Sequence, residues 1–328
     1  MARGFAWVLN FDADDELARS TSPRSSYTPG RSVLARFEAL TAEIAPTLLG
    51  PDDRVLIPAQ PGAPRERAIE VHGQLVGEAR GMEGRAFCPT PRARGALAAA
   101  GAIVPDAPPF EVLRRVNHRR FTAELGQTLP GACFVMTLAD LLEVIARPSP
   151  TGHWLLKRPW SFAGRARRKV RAGALEEAAQ PWVLASLARV ASPRGADASP
   201  WEGGLQVEPW VERAGDFAQH GFITRDASIT LGEPTTQRLD ATGAWSATAI
   251  ALPEELSEEE REALGNSTRE SARALVTAGY FGPFGVDAFR YLDARGARRF
   301  NARCEINARY SMGWATGMGT LRPDREPG

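Results

Sequence analysis

An apolar run from Phe5 to Leu9 stops at Asp12, Asp14 and Asp15, which predicts a short buried strand over residues 4–10. Residues 15–31, rich in serine, threonine, proline and glycine, read as a loop. Val33, Leu34, Phe37, Leu40 and Ile44 then recur at helical spacing and predict a helix over 32–45. A second strand follows at 54–57, with helices over 65–78 and 92–100, the latter stopped by Gly101. Short strands alternating with helices predict a small α/β layer around a parallel sheet.

The segment Pro105-Asp106-Ala107-Pro108-Pro109 is the best linker candidate, and beyond it the pattern changes. Helices are expected over 116–126, 138–146 and 174–191, with strands at 132–136 and 153–158. After a polar stretch at 192–204 the chain turns strand-rich, with strands at 204–211, 217–224, 234–239 and 244–250. One long helix over 257–278 opens with Glu258, Glu259 and Glu260, where the helix dipole favours acids. Two last strands, 284–291 and 298–307, are joined by the turn Asp293-Ala294-Arg295-Gly296.

Composition narrows the function classes. The 40 basic and 39 acidic residues of this 328-residue chain leave a net charge of +1, so nothing global favours a polyanion partner such as nucleic acid. No apolar run approaches the roughly 18 residues needed to span a bilayer. The three cysteines, Cys88, Cys133 and Cys304, are scattered, which fits neither a disulfide framework nor a CxxC metal site. A soluble, reduced, cytoplasmic globular protein is the expectation. The chain holds two lysines, Lys157 and Lys169, against 38 arginines, so a lysine at a motif position carries weight.

Three constellations carry candidate chemistry. In the first, an apolar strand delivers Lys157 at its end, followed by the small residues Ser161, Ala163 and Gly164 and the basic Arg165, Arg167, Arg168 and Lys169. A strand-fixed ammonium beside a loop whose amides approach an oxyanion closely suits a phosphate tail. An exposed basic hairpin, or a nucleic-acid patch at Arg165, Arg167 and Arg168, reads the same residues blandly. In the second, Glu208-Pro209-Trp210-Val211 leaves a strand through proline and is followed by Asp216. Such a segment can offer peptide groups to a purine edge while carboxylates reach a ribose; an ordinary edge strand is the alternative.

The third is the terminal hairpin. Alternation puts Glu305 and Asn307 on one face, and a turn centred near Gly296 sets Asp287 opposite Glu305. Two carboxylates so close repel unless a cation neutralises them, and oxygen donors select magnesium or manganese over zinc. The alternative is a solvent-facing polar stripe. The four histidines, His72, His118, His153 and His220, show no metal-ligand spacing, and Cys304 is expected to face the core opposite Glu305.

Taken in order, the strand-end lysine, the small-residue loop, Glu-Pro-Trp-Val with a later acid, and Asp…Glu-Ile-Asn-Ala-Arg resemble the ATP-grasp superfamily of carboxylate–amine or carboxylate–thiol ligases, over roughly residues 116–315. The resemblance implies an N-terminal α/β, Rossmann-like domain over 1–115, a lid subdomain over 116–203, and a large antiparallel subdomain over 204–328. It implies ATP with Mg2+ or Mn2+ as cofactors, small-molecule or peptide carboxylate and amine substrates, and an acyl phosphate; homodimers are frequent among such proteins. Residue by residue, Lys157 and Arg119 or Arg120 would hold phosphates, with Ser161 and Gly164 in the closing loop. Glu208, Pro209, Trp210 and Val211 would sit at adenine and Asp216 at the ribose. Asp287, Glu305 and Asn307 would ligate the metal, and Arg309 would stand beside the transferring phosphoryl group. The first cation is arginine where lysine is common, and the loop lacks the usual multiple glycines. A phosphotransferase of the same fold and a non-catalytic ATP-binding module are the alternatives.

Overall fold

The computed structural model describes residues 4–18, 31–56, 79–160, 166–187, 201, 203–239 and 245–326. The expected helix over 65–78 therefore lies outside the described residues, as do Ser161 and Gly164.

The N-terminal layer contains strand β1 (Phe5–Val8), helix α1 (Ala13–Leu17), helix α2 (Arg31–Leu48), strands β2 (Arg54–Leu56) and β3 (Glu83–Ala86), and helix α3 (Pro91–Ala99). The three strands run parallel in the order β2-β1-β3, with β1 central and buried along its whole length. A strand covered on both faces needs a continuous apolar run, which is what Phe5 to Leu9 supplies. Strand β3, Glu-Gly-Arg-Ala, has no such run and escaped the sequence pattern.

Where a helix is expected over 116–126 the structure has α5 (Arg119–Glu124), preceded by a separate helix, α4 (Phe110–Val116), that the pattern did not predict. Side-chain hydrogen bonds keep the two apart. The Asn117 amide donates to the Leu113 carbonyl at 2.9 Å, and His118 Nδ1 accepts the Arg120 amide at 3.1 Å as the cap of α5. Asn117 also grips Ala308 far along the chain, accepting its amide at 2.9 Å and donating to its carbonyl at 3.3 Å.

A second sheet joins β4 (Cys133–Val135), β5 (His153–Lys157), β6 (Arg167–Arg171) and β7 (Leu205–Pro209) in the antiparallel order β4-β7-β5-β6. Helices α6 (Leu138–Ile145) and α7 (Gln180–Leu187) cover one face, packing Leu141, Val144, Val183 and Leu187 on Trp154, Leu156, Val170 and Val207. Alternation turns Lys157, Gln206 and Glu208 to the other face. By hydrogen bonding β7 belongs to this middle sheet, although it follows residue 203. The basic run reads as a loop in sequence yet Arg167–Arg171 is a strand; on this sheet border only Val170 needs burying.

The third sheet is antiparallel, with β8 (Glu212–Ile223), β9 (Ile229–Leu231), β10 (Thr235–Leu239), β11 (Trp245–Ile250), β12 (Gly282–Leu292) and β13 (Arg298–Asn307). Its order is β11-β10-β8-β12-β13, and β9 pairs with β8. Helix α8 (Glu258–Thr277) starts at a Ser257/Glu260 capping box and lays Leu264, Ala272 and Leu275 on the sheet. Helix α9 (Trp314–Met318) follows β13, and Trp314, Tyr310 and Met318 join the N-terminal core around Trp7, Phe11 and Ile44. No helix among the described residues is long and apolar enough to cross a membrane.

Asp53 fastens the two ends of the chain. It accepts the Phe5 amide and the Trp7 indole at 2.9 Å each, the Gly50 amide at 2.9 Å, and Arg325 at 2.5 Å. Burial works against its charge, yet Arg325 and the Gly50 and Phe5 amides hold its carboxyl below the usual carboxylate range. Asp53→Ala strands several buried donors and should cost about 3–5 kcal/mol in urea denaturation at pH 7. A depressed acid stabilises above its unfolded value, so this cost should shrink as the pH falls below 3.8.

Candidate nucleotide and metal site

The hairpin β12/β13 sets Asp287 directly opposite Glu305, the pairing expected from the sequence, and Gly285 opposite Asn307. Past Asp287 the ladder slips, Phe289 facing Asn301, so β13 spends two extra residues in a bulge. Cys304, in this bulge, is buried among Leu129, Val211, Phe289 and Tyr291. Burial raises its thiol far above the usual range, which leaves it protonated and a poor nucleophile.

Each polar group of the hairpin is held by a partner. Asp287 accepts from the Asn307 amide at 2.9 Å and from Gln237 at 3.3 Å, the latter reaching across β8. Glu305 pairs with Arg119 at 2.8 Å. Arg309 donates to Asn307 Oδ1 at 2.8 Å and pairs with Asp14 of α1 at 2.9 Å. Burial, and then the negative charge of Glu305, push the Asp287 carboxyl up to about 6. Burial would raise Glu305 as well, but Arg119, Lys157 and Arg309 outweigh it and hold that carboxyl below its usual value.

The middle sheet faces this hairpin with a second set. Lys157 Nζ lies 2.6 Å from Glu208, and Gln206 donates to the other Glu208 oxygen at 2.8 Å. Of the two candidate arginines, the structure brings Arg119 to the site. Its amide donates to the Pro159 carbonyl at 3.2 Å and its Nε to the Arg158 carbonyl at 3.0 Å, just beyond Lys157. Arg120 points away, pairing with Glu124 at 2.8 Å and lying over Trp201. The helix break at Asn117 and His118 sets this choice.

The Glu208–Val211 segment is less open than its sequence suggests. The Trp210 amide donates to the His153 carbonyl at 2.9 Å, and its carbonyl accepts from Thr151 at 2.7 Å, so both of its peptide groups are engaged internally. Pro209 ends β7, and Val211 is buried against Phe289 and Cys304. Asp216 sits on β8, bonded to Arg213 at 2.6 Å, and Arg213 also feels the charge of Glu208. His220 is buried, its imidazole pushed down to about 4 by desolvation, and a Cβ on Gly317 would stand 2.6 Å from its Nδ1. It is packed as a structural imidazole.

Several site residues have no sequence motif. Asn117, Gln206, Arg213 and Gln237 are single polar residues in apolar or mixed runs, and Asp14 lies 295 positions from its partner Arg309. Only the acidic stop after the first strand signalled Asp14 at all.

No group of three or more histidine, cysteine, aspartate or glutamate side chains forms among the described residues. The candidate metal set is instead two carboxylates and one amide on one face. Asp287 and Glu305 offer the oxygen donors a hard divalent cation prefers, and Asn307 can add its side-chain oxygen, which here accepts from Arg309.

No protein-family model matches the chain, and no curated protein matches it in sequence. Among solved structures it is similar to a biotin carboxylase–β,γ-ATP complex from Campylobacter jejuni, at 15% identity and TM-score 0.49, over 71% of this chain and 49% of that one. Pyruvate carboxylase from Rhizobium etli matches at 17% and 0.49, over 97% of this chain and 27% of that one. D-alanyl-alanine synthetase A from Vibrio cholerae matches at 11% and 0.46, over 94% and 89%. The chain thus spans about half and about a quarter of the first two.

An acid whose folded value is raised stabilises only below its unfolded value, and that contribution is lost as the pH rises through about 6. Asp287→Asn removes the charge. In metal-free urea denaturation the variant should be more stable than the parent by about 1–2 kcal/mol at pH 7.5, with the advantage gone below about pH 4. A constant difference across that range would place Asp287 in a different environment.

Proposed function

We propose that the protein is an ATP-dependent ligase of the ATP-grasp type, which activates a substrate carboxylate as an acyl phosphate and joins it to an amine. The observation that carries this reading is the single face on which Asp287, Glu305 and Asn307 meet three cations, Lys157, Arg119 and Arg309. Arginine and lysine beside facing carboxylates suit a polyphosphate with its counter-cation better than they suit a hydrolytic centre. Magnesium or manganese, held by Asp287, Glu305 and Asn307, would supply neutralisation of the β and γ phosphates.

Lys157 and Arg119 bind the phosphates, each leaving the carboxylate it now neutralises. Glu208 and the backbone at Pro209 and Val211 take the purine; Asp216 takes the ribose. A substrate carboxylate oxygen attacks the γ-phosphorus, the bond to the bridging oxygen breaks, and ADP leaves. Arg309 steadies the charge on the moving phosphoryl group. An amine nitrogen then attacks the acyl carbon, the carbon–oxygen bond to phosphate breaks, and the nitrogen gives up a proton. The segment with Ser161 and Gly164 excludes water during this sequence. We divide the chain at 115 and 203 into N-terminal domain, lid and large subdomain, with the strand Leu205–Pro209 pairing on the lid side. Three unpaired cysteines agree with a cytoplasmic setting.

The test is ADP release screened against pooled carboxylates and amines. Release that needs both partners, with an amide in the mass spectrum, supports a ligase. A stable phosphorylated product makes the protein a phosphotransferase, and nucleotide binding without turnover makes it a binding module. Lys157→Ala should weaken ATP affinity by calorimetry about tenfold or more, since a fixed phosphate cation is lost. Glu305→Gln should lower turnover by about a hundredfold or more while the melting temperature shifts by no more than about 5 °C. Near-parental ADP production by Glu305→Gln would remove that residue from the metal set.

A further inference from the structure

Arg309 is suspended between two parts of the fold. One end of its guanidinium donates to Asn307 Oδ1 at 2.8 Å; the other pairs with Asp14 Oδ2 at 2.9 Å, and both Arg309 and Asp14 are buried. The Asn307 amide in turn donates to Asp287 at 2.9 Å. A guanidinium only donates and a carboxylate only accepts, so these neighbours together fix which way the Asn307 amide is turned. Its oxygen faces Arg309 and its nitrogen faces Asp287. The orientation of an oxygen donor is thus set by an arginine, and the arginine is set by Asp14.

The turn that carries Asp14 is itself braced. Glu16 accepts the Arg92 amide at 3.0 Å, and the Arg92 guanidinium pairs with Asp12, which fastens α1 to the start of α3. Asp14 is thereby offered to the core by a part of the chain that contributes none of the other polar groups of the site.

The geometry assigns Asp14 the role of a positioning residue: it anchors Arg309 and, through Arg309, the Asn307 amide beside the candidate metal carboxylates. This assignment rests on the nucleotide and metal reading of the site given above. When Arg309 turns to an incoming phosphoryl group, Asp14 keeps its charge compensated and the Asn307 oxygen becomes free. Without Asp14 the buried guanidinium loses its direct counter-charge and leans on Glu305, one of the candidate metal carboxylates, so it competes with a second cation there.

The test measures Mn2+ binding in the presence of ATP by electron paramagnetic resonance, for the parent, Asp14→Asn, Asp14→Glu, Arg309→Gln and the Asp14→Asn/Arg309→Gln double variant. Asp14→Asn should weaken Mn2+ binding about tenfold, and Asp14→Glu should restore it to within about threefold of the parent. In the Arg309→Gln background the same Asp14→Asn change should alter binding less than about twofold, since the residue acts only through Arg309. The double variant also removes the stranded cation, so the comparison with Arg309→Gln tests the coupling even if Asp14→Asn folds poorly. An equal effect of Asp14→Asn in both backgrounds, or no effect in either, would overturn the inference while parental binding stands. Absence of Mn2+ binding by the parent itself would overturn the nucleotide and metal reading, and this assignment with it.

Discussion

Two carboxylates, Asp287 and Glu305, face each other across a single ladder position, and the groups around them answer that repulsion. Arg119 takes one oxygen of Glu305; Asn307 and Gln237 take both oxygens of Asp287. The compensation is uneven. Glu305 has an arginine and the nearby charges of Lys157 and Arg309, whereas among the described residues the direct partners of Asp287 are neutral amides, and burial beside Glu305 holds it toward its protonated form. A pair in which one member is neutralised and the other is not is a place where a cation lowers the energy of the fold.

The three sheets converge on this pair by different routes. The third sheet supplies both acids from one hairpin. The middle sheet supplies Lys157 and Glu208 from the face turned away from α6 and α7, and α5 brings Arg119 into the gap between the two sheets. The N-terminal layer reaches the site through Asp14, and its core is completed by Tyr310, Trp314 and Met318 just beyond Arg309. Asn117 holds both backbone groups of Ala308, between Asn307 and Arg309, so the hairpin's end is fixed from the α4–α5 turn as well.

The parts legible in the sequence were those governed by short-range periodicity. Strand alternation and a glycine-containing turn predict Asp287 opposite Glu305, and the pairing is found, but the turn alone would set Asp287 against Arg303; the two extra residues in the bulge of β13, which no local pattern marks, bring Glu305 to that position. The apolar β1 and the capped α8 are equally local. The choice between Arg119 and Arg120 was not legible, since it depends on a helix broken by an asparagine whose other partner is residue 308. Nor was the closed state of the Trp210 peptide groups, which depends on His153 and Thr151 of another strand and its turn. Strand β6 was hidden because four of its five residues are basic, and a strand with one demanding position needs only Val170 to be apolar.

The proposed function requires a divalent cation and a triphosphate to share the space between the hairpin and the lysine-bearing strand. The most direct measurement is anomalous scattering from a crystal grown with Mn2+ and a non-hydrolysable ATP analogue. The expected result is a manganese peak about 2 Å from oxygens of Asp287 and Glu305, with analogue phosphates within hydrogen-bond reach of Lys157. Manganese bound elsewhere, or an analogue seated away from that lysine, would contradict it.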